Sequence, residues 1–84
     1  MRLTVTPLPD NSHLVRVRDG DGPEYSRMIV VTVEGDCLHL RGWIGTPLTP
    51  SQWREAAAKL FPNARRVRFE RRKGDAVRQV ELAL

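Results

Sequence analysis

The sequence predicts an α+β domain of about six mostly antiparallel strands and one helix, ordered β-β-β-β-α-β-β, with residues 1–84 forming a single domain. Three observations lead there. Six short segments alternate apolar and polar residues at the period of a half-buried strand. One segment, 49–61, repeats its apolar residues at helical spacing behind a complete start signal. Clusters of Gly, Pro, Asn and Asp separate these segments, with no repeat, linker or low-complexity stretch between them.

Residues 2–6 alternate and read as a first strand ending at Pro7. The turn-rich run 7–12 leads to a second strand over 13–18, with Val15 and Val17 on one face and Leu14, Arg16 and Arg18 on the other. Asp19, Gly20, Asp21, Gly22 and Pro23 make a strong turn signal. The longest strand spans 26–34: Ile29, Val31 and Val33 point one way, Met28, Val30 and Thr32 the other. Apolar residues on both faces predict a central or doubly covered strand. A turn at 34–36 joins it to a fourth strand over 37–41, with Leu38 and Leu40 inward and Cys37, His39 and Arg41 outward.

The helix start is the clearest local signal. Thr49 is an N-cap, Pro50 the first helical residue, and Gln52 completes a capping box. Leu48 and Trp53 stand where a hydrophobic staple forms. Trp53, Ala56, Ala57, Leu60 and Phe61 form one apolar stripe, and Pro62 stops the helix. Residues 66–71 alternate again, with Val67 and Phe69 inward. A turn at 72–75 precedes a last strand over 76–83, with Val80 and Leu82 inward.

Composition excludes several classes. With 40% hydrophobic and 29% charged residues the chain is too apolar for disorder. No apolar run approaches the roughly 20 residues of a membrane helix, and residues 1–7 hold no apolar stretch of signal-peptide length. A cytoplasmic location and no membrane partner are the expectations. A lone cysteine, Cys37, excludes an internal disulfide and a multi-cysteine zinc site. A core this small leaves modest stability, which a partner or self-association would raise.

The net charge of +4 is concentrated. Residues 1–64 hold seven basic and seven acidic residues, whereas 65–78 hold seven basic groups against Glu70 and Asp75. The basic groups are Arg65, Arg66, Arg68, Arg71, Arg72, Lys73 and Arg78. They are the candidate contacts for phosphate or for an acidic protein surface. Trp43, placed just after the fourth strand, is the candidate interface anchor or base-stacking platform.

Other constellations stay incomplete. Cys37 and His39 share a strand face, yet no third residue is placed to complete a nucleophile–base pair or a metal site. Asp19 and Asp21 lack the further ligands and terminal Glu of a calcium loop. The loop from Arg41 to Thr46 lies between strand and helix, where phosphate can be cradled, but Pro47 and Pro50 remove N–H donors there.

The succession strand, Arg-Gly-containing loop, helix, strand over residues 26–71 resembles the coenzyme A-binding core of the GNAT acetyltransferases. The family's loop reads R/Q-x-x-G-x-G/A. Counted from Arg41, its first Gly falls on Ile44 and its next Gly/Ala on Thr46. The resemblance therefore implies a degenerate domain with a ligand pocket rather than acetyl transfer. The small, Arg- and Ala-rich chain is also similar to short orphan proteins of bacteriophages and prophages, which implies an accessory, adaptor or inhibitor.

The expectation is a non-catalytic protein-interaction module, without cofactor or metal, that docks on a larger protein or self-associates. A nucleic-acid-backbone binder using the 65–78 arginines is the alternative, and the degenerate acetyltransferase-like domain is the third reading.

Overall fold

A computed structural model describes residues Met1–Leu84. The elements are β1 (Arg2–Leu8), β2 (Ser12–Arg18), β3 (Arg27–Glu34), β4 (Cys37–Ile44), α1 (Pro50–Leu60), β5 (Arg66–Lys73) and β6 (Ala76–Ala83). The six strands form one sheet in chain order, β1 to β6. Every neighbouring pair is antiparallel except β4 and β5, which are parallel because the chain crosses over through α1 between them. The architecture is the expected α+β arrangement, and the strand order is the simplest one the chain allows.

Three strands run further at their C-terminal ends than their alternation indicates. β1 continues through Pro7, which pairs with His13, to Leu8. Proline is tolerated there because β1 is an edge strand. β4 continues through Gly42 and Trp43 to Ile44, and β5 continues to Lys73. The extension of β4 contains a bulge: Leu40 pairs with Val31 and Gly42 with Val30, leaving Arg41 as the extra residue. The bulge shifts the alternation by one, so Trp43, opposite Ile29, lies on the same sheet face as Leu38 and Leu40.

One face of the sheet packs on α1. Val17, Val31, Leu38 and Val67 have no exposed surface, and Val15 and Ile29 are buried beside them. Trp53, Ala56 and Ala57 bring the helix stripe onto this layer, and Leu48 joins the same cluster ahead of the helix. The capping box forms as the sequence requires. Thr49 Oγ1 accepts from the Gln52 N–H at 3.2 Å, and Gln52 Oε1 accepts from the Thr49 N–H at 3.0 Å. The other face is open. β3 is interior to the sheet, yet only its Ile29 and Val31 side is covered by the helix, leaving Met28 and Val30 partly exposed.

Arg27 ties the β2–β3 loop to the helix start. It is 8% exposed, donates to Gln52 Oε1 at 3.1 Å and pairs with Asp19 Oδ1 at 3.0 Å. Gly45 lies over the same corner with φ of 91°, and a Cβ there would fall 2.6 Å from the Ser26 carbonyl oxygen. Only glycine fits this close approach in the left-handed region.

The Ser26 hydroxyl donates to the Asp19 carboxylate and, with the Arg27 charge, holds that carboxyl below the ordinary aspartate range. A lowered folded-state pKa stabilises the fold above the unfolded value, about 4, and that contribution disappears as pH falls through the folded value. The variant Asp19→Asn is expected to melt below wild type at pH 7, and the two melting curves to converge towards pH 2. Thermal melts across that range check it, and a constant offset would contradict it.

Candidate functional site

The feature that sets this sheet apart is the short parallel ladder. β4 and β5 pair only through Cys37 with Arg66, Leu38 with Val67 and His39 with Arg68. Beyond His39 both strands continue, to Ile44 and Lys73, without pairing with each other. The ladder ends beside the bulge at Arg41, and a bulge bends and twists its strand away from a neighbour. Residues 40–44 keep β3 on one side, residues 69–73 keep β6 on one side, and between them the sheet is open.

This slot leads to a cleft of about 480 Å³ under the N-terminal end of α1. Leu40 and Trp43 of β4, Leu48 and Trp53 from the helix entry, and Phe69, Val80 and Leu82 of the β5–β6 hairpin supply an apolar lining. Its size falls within the roughly 300–1,000 Å³ of ordinary ligand sites. A second hollow, on the open face of the sheet, is lined by His39, Arg41, Arg68 and Gln79 and shares Leu40, Trp43, Phe69, Glu70 and Arg72 with the first. The two hollows are the two mouths of one slot.

The open face is strongly basic. By register it carries Arg2, Arg16 and Arg18 from β1 and β2, Arg41 from β4, and Arg66, Arg68 and Arg72 from β5. Glu34, Glu70 and Glu81 are the acidic residues its strands carry, and Asp36 of the β3–β4 turn pairs with Arg66 at its margin. Arg66 and Arg68 each reach Glu81 at 3.2 Å, and Arg66 also reaches Asp36 at 3.2 Å. Hydrogen bonds from Arg66 and then Arg68 hold the Glu81 carboxyl below the ordinary glutamate range. Arg16 and Arg18 donate to Thr6 and Thr4, at 3.0 Å and 2.9 Å, and have no carboxylate partner.

The seven basic residues of 65–78 do not form one patch. Arg66, Arg68 and Arg72 face the open side. Arg71 and Arg78 sit directly opposite each other on the helix side, Lys73 lies at the hairpin end, and Arg65 precedes β5. Alternation along two paired strands divides the cluster between the faces. Trp43 stands at the cleft, 43% exposed.

His39 has a partner that sequence reasoning did not supply: its Nε2 lies 3.2 Å from Glu34 Oε2. The signal was present in the hairpin register, which sets Glu34 opposite Cys37 and so brings it diagonally near His39. Cys37 is only 2% exposed. No group of three His, Cys, Asp or Glu residues is placed to hold a metal ion. At the helix start the capping box occupies the Thr49 and Gln52 N–H groups, Trp53 N–H bonds Thr49 O, and Pro50 has none. Ser51 is left as the one uncommitted donor of the first turn, a poor cradle for phosphate. No helix is long and apolar enough to cross a membrane. Comparison of the chain with protein-family models, curated proteins and solved structures gives no match.

Proposed function

We propose that this chain is a small non-catalytic protein-interaction module that docks on a larger protein by taking an extended segment of it into the slot between β4 and β5. The observation that carries this reading is the free main-chain edge on both sides of one gap, beside an apolar cleft with a half-exposed tryptophan. An unpaired strand edge is a template for a further strand: main-chain hydrogen bonds supply affinity, and pockets for alternate side chains supply specificity. Here a segment would find such an edge on each flank. The accessory or adaptor role suggested by the chain's size and composition fits this mode of docking.

The two other readings draw less support. A nucleic-acid binder built on residues 65–78 would need those arginines on one surface, and they are divided between two. A coenzyme A-type ligand would need phosphate donors at the helix start, and the capping box and Pro50 leave one.

The test is selection of binding peptides from a random extended library, followed by titration of the amide-labelled protein with a selected peptide. The largest chemical-shift changes are expected at residues 40–44 and 69–73. Changes confined to the outer edges of β1 or β6, or failure to select any peptide, overturn the reading.

A further inference from the structure

We infer that the segment received by the slot alternates acidic and apolar residues, a deepening that rests on the docking mode just proposed. Side chains of a strand alternate between the two faces of its sheet. A segment lying between β4 and β5 therefore presents every second side chain to each mouth of the slot. On the helix side those side chains meet Leu40, Trp43, Trp53 and Phe69, with Glu70, Arg71, Arg72 and Glu81 as the charged residues of that lining. On the open side they meet Arg41, Arg68 and Arg72, with Glu70 as the single acidic residue of that hollow. The apolar wall selects an apolar residue, and the arginine wall selects a carboxylate in bidentate geometry.

Charge on the open face agrees. The open face of the sheet carries seven arginines against three glutamates, so an acidic segment is drawn in and a basic one repelled. Arg72 has no ion-pair partner, while Arg41 and Arg68 hold exposed ones at 3.3 Å and 3.2 Å that an incoming carboxylate can share. On the helix side Arg71 lines the cleft and lies directly opposite Arg78, with no carboxylate bonded to either. This pair draws anions towards the mouth of the cleft, but Glu70 and Glu81 line the same cleft, so the helix side keeps its preference for apolar side chains.

The test uses dye-labelled synthetic peptides of one length: alternating Glu-Leu, the same peptide with Gln for Glu, the same with Lys for Glu, and a blocked Glu-Glu-Leu-Leu arrangement of identical composition. Binding is read by fluorescence anisotropy at low and high salt. The alternating acidic peptide is expected to bind at least tenfold more tightly than the other three and to weaken as salt rises. In the doubly substituted protein Arg71→Glu, Arg72→Glu, whose changes are at exposed positions and should leave the melting temperature near wild type, that preference is expected to fall to parity. Equal binding of the Gln peptide refutes the acidic specificity while leaving the docking slot standing. Equal binding of the blocked peptide refutes alternation and indicates adsorption to the basic face. No binding by any of the four overturns both the specificity and the slot as a peptide site, and a rise in melting temperature with acetyl-CoA then favours the ligand-pocket reading.

Discussion

Replacing Leu38 by alanine is expected to lower the melting temperature by roughly 15 °C or more, or to leave the domain unfolded at 37 °C. Leu38 is fully buried and pairs with Val67 at the middle of the three-residue ladder that joins β5 to the rest of the sheet. Truncation of a buried leucine costs about 3–5 kcal/mol where the site cannot collapse. An 84-residue domain has about 4–12 kcal/mol in total, at the usual stability per residue. The loss falls where it matters most for topology. The β5–β6 hairpin is held to β4 by that ladder and by apolar contacts beneath the helix, so its amides should lose exchange protection before those of β2 and β3. Thermal melts and hydrogen exchange on the variant check both parts. A melting temperature within a few degrees of wild type would contradict the account of the core.

Replacing Trp43 by alanine is expected to have the opposite profile: near-normal stability and about a thirtyfold loss of affinity for a segment that fills the slot, as for a binding hot spot of 2 kcal/mol. Trp43 borders both mouths of the slot and is half-exposed, so its ring is available to a partner and contributes less to the core. Trp53, buried on the same cleft, is the contrast. Its truncation is expected to destabilise the fold by about 3–5 kcal/mol. Melting curves and anisotropy titrations on the two variants separate the roles. Loss of stability without loss of binding at Trp43 would make it a core residue.

Much of this architecture is legible in the sequence because local signals and burial agree. Alternation assigns Leu38 and Val67 inward and groups Val15 with Val17 and Ile29 with Val31 on single faces, and all six are buried. Thr49, Pro50 and Gln52 fix the helix start to the residue. The slot was not legible, for two physical reasons. A bulge at Arg41 breaks the alternation that identifies a strand, so β4 reads as ending where it turns, and Trp43 reads as lying beyond it. The length of a parallel ladder depends on how two strands diverge in space, which no local pattern encodes. The arginines of 65–78 are the converse case. They are adjacent in sequence, yet strand alternation sends Arg71 and Arg72 to opposite faces.

The most direct test of the open slot is hydrogen exchange at single-amide resolution on the free protein and on its complex with the alternating acidic peptide. In the free protein, the amides among residues 40–44 and 69–73 that do not bond β3 or β6 are expected to exchange fast, and to become protected when the peptide is bound, while β1 and β2 stay unchanged. Slot amides already protected in the free protein, or still unprotected in the presence of saturating peptide, would contradict the claim that β4 and β5 part to receive a strand.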